Sequence, residues 1–207
     1  MNTLRSLITG AALSALVGIG CAPATMQPTD SGVGGSDASA AEAGTCRAPT
    51  IAEPCSMEGC KFAPLNLPYC DGSGEFDFYG QTFCSARVTL VVISAGWCVP
   101  CQQEAAEMER EIVQPYAGRV RVVTVYSQGV TRPSVATASA CMAWKNRYRL
   151  TSHMLLDANE IASRYFPNQA FPANLIIDGD GTIRHRVYGT SRGLQSLKDQ
   201  IDGLLGN

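Results

Sequence analysis

The first strong pattern along the chain is an unbroken apolar run, "RVTLVVIS" at residues 87–94, which predicts a central β-strand buried on both faces. After it, Cys101, Ala105, Met108 and Ile112 recur at steps of four, three and four. This is one helical stripe, on a helix expected to end near Pro115. A second β-branched run, "RVRVVTVYS" (119–127), predicts another strand, residues 134–149 a helix, "HMLLD" (153–157) a short strand, and 159–166 a helix. "ANLIID" (173–178) and "TIRHRVYG" (182–189) predict a hairpin joined across "GDG", and 191–205 a last amphipathic helix. The order β-α-β-α-β-α-β-β-α is that of an α/β domain, a sheet covered by helices on both faces. "EFDFYG" (75–80) fits a short strand or turn, and no internal repeat is present.

Upstream of these elements the pattern fades. Residues 46–70 are rich in Cys and Pro without periodicity, an irregular and disulfide-stapled lead-in. Residues 22–45 contain no Lys, Arg or aromatic residue and are too poor in large apolar side chains to fold. As a coil they would span roughly 25–30 Å, a tether's dimensions. Residues 1–20 carry one cation, Arg5, and then a short apolar run, which fits a signal peptide better than a membrane span. The expected division is 1–20 signal peptide, 21–45 anchor cysteine and linker, 46–61 Cys-rich lead-in, and 62–207 folded domain.

Of the 207 residues, 45% are hydrophobic and 16% charged, with net charge −2. That is ample for one core, and no Lys/Arg cluster speaks for a nucleic-acid partner. Nine cysteines are many for a reducing cytosol and favour an oxidising, extracytoplasmic address.

The candidate chemistry lies in "SAGWCVPCQQE", residues 94–104. Cys98 follows the central strand closely and Cys101 opens the helical stripe, so the pair sits at a helix N-terminus. There, unpaired N–H groups and the helix dipole favour a thiolate, and can bring a thiol pKa from about 8.5 down to roughly 3.5–7.5. Pro100 is tolerated in a first turn. Cys98 is expected to be the exposed thiol and Cys101 the shielded one. A zinc site normally needs four ligands, and the only other close pair, Cys55 and Cys60, lies in the irregular lead-in. No metal is expected, and no flavin or nicotinamide fingerprint suggests a cofactor.

"WCVPC" after "VTLVVISAG", with Phe171–Pro172 before "ANLIIDGDGTIRHRVYG", resembles the thioredoxin superfamily. The extra β-α stretch between the second strand and Pro172 resembles the TlpA-like, membrane-anchored protein-disulfide reductases. The resemblance covers roughly residues 62–205. It implies a thioredoxin-like mixed sheet with an inserted β-α unit, Cys98 as attacking thiolate and Cys101 as resolving thiol. It further implies that Trp97 flanks the site and that Pro172 is a cis-proline, beside which Phe171 docks an extended substrate segment. The implied partners are disulfide-bearing proteins and an electron-donor protein. Glu104 matches a glutamate often found three residues after the second cysteine in the TlpA-like group, where it assists proton transfer. An acid favoured by the dipole of a helix's first turn is the preferred alternative.

Two departures accompany the resemblance: Val92 stands where thioredoxins bury an aspartate, and Ala173 follows Pro172 where Thr is usual. Strong oxidants of the superfamily tend to carry a histidine between the cysteines, where this chain has Val99 and Pro100. Without a histidine to stabilise the reduced form, the couple is expected to donate electrons, with oxidase or isomerase activity as the alternative. A peroxiredoxin would carry Thr or Ser at position 95, which is Ala95. A copper chaperone of this fold would space its cysteines by three, with a nearby histidine; His153 and His185 are expected on strands in structural or surface roles.

Gly20–Cys21 resembles a bacterial lipobox, with Gly18 where Leu is usual, and implies lipidation of Cys21 and a periplasm-facing membrane anchor. The six remaining cysteines, Cys46, Cys55, Cys60, Cys70, Cys84 and Cys141, allow fifteen pairings. Cys70–Cys84 is the pairing expected, closing a loop of about fifteen residues worth roughly 3 kcal/mol.

Overall fold

The structure is a computed structural model and describes residues 48–51, 55–83, 85–166, 170–189 and 193–206. The signal peptide, Cys21, the linker, Cys46 and Cys84 lie outside the described residues.

Two short strands, β1 (Asn66–Pro68) and β2 (Glu75–Asp77), form an antiparallel hairpin, and Tyr79–Phe83 winds into one wide helical turn. The main elements follow: β3 (Val88–Ala95), α1 (Val99–Met108), β4 (Val120–Gln128), α2 (Ala138–Tyr148), β5 (His153–Leu156), β6 (Ala173–Asp178), β7 (Ile183–Tyr188) and α3 (Gly193–Leu205). The sheet runs β5-β4-β3-β6-β7, with β3, β4 and β5 parallel and β6 and β7 antiparallel. This is the mixed sheet of the thioredoxin-like fold. The inserted unit supplies edge strand β5 and one 3₁₀ stretch, Ile161–Tyr165.

All eight residues of β3 are buried, as an apolar run demands of a strand covered on both faces. The stripe Cys101, Ala105, Met108 and Ile112 is buried as spaced, although the helix widens to π geometry over Glu109–Val113. Helix α2 begins four residues later than the pattern suggests, because the Thr137 hydroxyl accepts from Ala140 N and caps it there. The expected helix at 159–166 is only the 3₁₀ stretch, held by the buried Asp157 carboxylate, which accepts from Ile161 N and Ala162 N.

Cys70 pairs with Cys141, not with Cys84. Tyr69 bridges to Leu155 and Cys70 N donates to Met154 O, so the β1–β2 hairpin lies along β5 and brings Cys70 under α2. Chain proximity favoured the short loop; this docking decides for a partner 71 residues away. Cys55 pairs with Cys60, and this lead-in lies along β7 through Gly59 N–Ile183 O and Ile183 N–Cys60 O hydrogen bonds.

Candidate active site

The site is built where β3 turns into α1. Gly96 N donates to Gln128 O and Trp97 N to Gly129 O, tying this turn to the end of β4. A Cβ on Gly96 would stand 2.1 Å from the Tyr126 hydroxyl and 2.8 Å from Gly129 O, so only glycine permits the approach. Cys98 occupies the N-cap of α1, with φ −79° and ψ 106°, and Val99 and Pro100 open the helix. Its sulfur accepts from Cys101 N at 3.1 Å and is bonded to Cys101.

Cys98 and Cys101 are 2% and 1% exposed, so the expected contrast in exposure is absent from the oxidised pair. What distinguishes them is position. Cys98 Sγ sits on the helix end, where N–H groups converge, and Cys101 lies on the buried stripe.

Trp97 is fixed on several sides. Its indole N–H donates to Gln128 Oε1 at 2.8 Å, and Gln128 Nε2 donates to Glu160 Oε2 at 3.1 Å. Its ring meets Phe171 edge-on at 5.7 Å between centroids, and the Arg132 guanidinium lies 4.7 Å from the ring centre. The Trp97–Phe171 contact brings the cysteine turn and the segment before β6 together. The Phe171–Pro172 peptide is cis, as is Arg132–Pro133, and Pro172 O accepts from Gly189 N. Val99, Val130 and Val135 expose 60%, 69% and 65% of their surface, three of the four large apolar side chains so exposed among the described residues.

Glu104 is not in the first turn of α1. It lies one turn beyond Cys101, so the helix-dipole reading of this residue is corrected. Its carboxylate is turned inward: Oε2 accepts from Asn174 Nδ2 at 3.0 Å, and Oε1 is buried without a partner, as is Asn174 Oδ1. Burial raises the Glu104 pKa to about 7, against the lowering effect of the Asn174 hydrogen bond. Asn174 pairs across the sheet with Val92, the position where thioredoxins bury an aspartate. A titratable acid thus sits beside that position, reached from α1 rather than from β3. A cavity of about 440 Å³ opens there, lined by Pro100, Glu104, Glu107, Asn174, Leu194 and Leu197.

Sequence reasoning missed Gln128, Arg132, Glu160 and Asn174. Only tertiary pairing brings them to the site, and nothing in their local pattern marks them. Among the described residues no cluster of His, Cys, Asp and Glu is arranged to hold a metal, and Cys55 and Cys60 are engaged with each other. His153 and His185 lie on β5 and β7, away from the cysteine turn.

A parallel-antiparallel sheet, a C-x-x-C pair capping a helix, and a cis-proline one contact away define a thioredoxin-like protein with a dithiol–disulfide centre. The chain belongs to the AhpC/TSA family, which matches residues 55–186. No curated protein matches the sequence. Among solved structures it is similar to a protein of Chlorobium tepidum described as a thiol:disulfide interchange protein DsbE, at 19% identity and TM-score 0.61, covering 73% of this chain and all of that one. It is similar to a secreted Mycobacterium tuberculosis disulfide oxidoreductase homologous to E. coli DsbE, at 18% identity and TM-score 0.55, covering 67% and 95%. StoA from Bacillus subtilis gives 16% identity and TM-score 0.52, covering 67% and 96%. At these identities the likeness establishes the fold.

Proposed function

We propose that this protein is an extracytoplasmic thiol–disulfide oxidoreductase that reduces disulfides of partner proteins through Cys98 and Cys101. The observation that carries the reading is the Cys98–Cys101 disulfide capping α1, with Cys98 Sγ on the Cys101 N–H. The names of the similar structures, all thiol–disulfide proteins where an activity is given, agree with it.

In the reduced enzyme the Cys98 thiolate, favoured at the helix end, attacks one sulfur of the substrate disulfide. The substrate S–S bond breaks, a mixed disulfide forms, and the departing sulfur takes up a proton. Cys101 then loses its proton and attacks Cys98 Sγ, releasing the second substrate thiolate and leaving the Cys98–Cys101 disulfide. Two electrons have passed to the substrate, and a thiol-bearing donor protein must return two. Glu104, with a pKa near 7 one turn from Cys101, is suited to receive the Cys101 proton. The Trp97–Phe171 pair and the apolar rim of Val99, Val130 and Val135 suit an extended peptide docked beside Pro172.

The direction rests on the absence of a polar residue between the cysteines. The couple's potential is expected nearer the thioredoxin value of about −270 mV than the strong oxidant's value of about −120 mV; one above roughly −180 mV makes the protein an oxidase or isomerase. Cys101→Ser should accumulate mixed disulfides with substrate proteins on non-reducing gels, and Cys98→Ser should trap almost none. Equal trapping by the two variants would sink the assignment of roles. Peroxide turnover by the wild-type protein, with Ala95 in place of a hydroxyl residue, is expected to be negligible.

The proposed address is the cell envelope, with lipidated Cys21 as the anchor. No helix among the described residues is long and apolar enough to cross a membrane. The wild-type protein is expected to partition with detergent and Cys21→Ser is not; an unmodified, wholly aqueous wild type refutes the anchor.

A further inference from the structure

Far from the cysteines, at the opening end of the parallel strands, a second polar cluster borders a cavity of about 370 Å³. Arg121 is paired with Thr89 near the start of β3, and the cysteine turn follows Ala95 at its other end. Six residues of strand put roughly 20 Å between them. The mechanism above uses none of these groups.

Arg121 is half-buried and, among the described residues, makes no ion pair with a carboxylate. Its Nη2 donates to Ser85 Oγ at 3.3 Å, and its Nη1 faces His153 Nε2, also at 3.3 Å. A guanidinium only donates, so His153 Nε2 is the acceptor there, and the imidazole is neutral with its proton on Nδ1. Tyr69 OH lies 3.5 Å from that Nδ1. Burial, then Arg121 and Lys145, hold the His153 pKa below its ordinary value. A cation whose near partners are a neutral ring and a hydroxyl leaves positive charge uncompensated at a half-buried position.

The hydroxyl lining points the same way. Ser152 is 8% exposed, lines the cavity, and its Oγ has no partner. The nearby carboxylates are engaged locally: Glu109 accepts from Thr151 N and Oγ1, and Asp71, in the β1–β2 turn, accepts from Ser73 N. Lys145 on α2 adds a second positive charge acting on His153. The remaining wall is apolar, including Val113, Val120 and Val122.

We propose that this cavity is a binding site for a small organic carboxylate, its head on Arg121 and the Ser152 hydroxyl and its apolar body against Val113 and Val122. A carboxylate matches the planar guanidinium fork, and the apolar wall distinguishes such a ligand from a bare inorganic anion. Binding brings a negative charge beside His153. The ring's proton affinity, lowered beside Arg121 and Lys145, then rises, and protonation at Nε2 exchanges the Arg121 contact for the bound carboxylate.

The test is a titration of the purified protein with hexanoate, acetate and inorganic phosphate, followed by the NMR signals of the His153 ring. Saturable shifts are expected with hexanoate, weaker ones with acetate and phosphate, and a His153 pKa that rises when hexanoate saturates the site. Arg121→Gln should lose about tenfold or more in affinity, the scale of a charge-assisted pair, with insulin-type disulfide reduction by Cys98/Cys101 unchanged as proof of fold. The wild-type His153 readout stands without any variant. No saturable response to hexanoate, equal affinity in Arg121→Gln, or phosphate binding as tightly as hexanoate each overturns the proposal.

Discussion

At the residue scale, Glu104 shows how burial converts an ordinary acid into a group that titrates at working pH. Its pKa near 7 lies above the unfolded value of about 4.5, so the folded state holds the proton more tightly than the unfolded chain. The stability contributed by protonated Glu104 is complete below about pH 4.5 and is lost as pH rises through about 7. Glu104→Gln keeps the shape and an Asn174 contact but cannot ionise. Its urea midpoint should therefore exceed the wild type's at pH 8 and converge with it near pH 4.5. An equal offset at both pH values would remove the buried ionisation as its cause. The same variant should slow disulfide release from the mixed complex, with the wild-type pH profile breaking near 7. Glu104 was visible in the sequence by its spacing from Cys101; its burial was not. That depends on Asn174, seventy residues away.

At the element scale, the β3–α1 turn is where local pattern and tertiary contact agree. The apolar run, the C-x-x-C spacing and the stripe from Cys101 to Ile112 are short-range signals, and each is realised where expected. Helix α2 and the 3₁₀ stretch are less legible because their starts depend on caps from Thr137 and Asp157, not on apolar period. Gly96 had no sequence signal beyond its place before Trp97, yet its missing Cβ lets β3 and β4 approach. Gly96→Ala should destabilise the domain by about 1–3 kcal/mol, the usual cost of overpacking, because buried Tyr126 and the Gly129 carbonyl have nowhere to move. Denaturant unfolding measures this. The variant's Trp97 fluorescence should change as well, since the backbone that sets the indole against Gln128 has shifted. A neutral substitution with unaltered emission would mean that the turn relaxes freely.

At the scale of the whole molecule, the fold is held by cross-links and packing that no local window contains. The hairpin β1–β2, invisible as a pair in the pattern of polar and apolar positions, docks along β5 and delivers Cys70 to Cys141 on α2. Both cysteines are buried, at 3% and 0% exposure, as Cys98 and Cys101 also are; what suits Cys70–Cys141 to a structural bond is that neither of its residues caps a helix as Cys98 does. Fifteen pairings were open because cysteine spacing carries no information about which strands lie side by side. Closing a loop of 71 residues removes more unfolded-chain entropy than the fifteen-residue loop first expected. On the chain-entropy account it is worth about 4 kcal/mol, against about 3. Replacing Cys70 and Cys141 together by alanine should lower the unfolding free energy by roughly that amount, read from urea curves at constant slope. Because the bond ties the hairpin to α2 and touches neither β3 nor α1, the potential of the Cys98/Cys101 couple should be unchanged in the folded variant. A large shift in that potential would show that the two disulfides exchange, and that Cys70–Cys141 belongs to the electron path and not to the frame. A loss below about 1 kcal/mol would instead place the hairpin's stability in its aromatic packing, where Phe76 lies 5.0 Å from both Phe78 and His153.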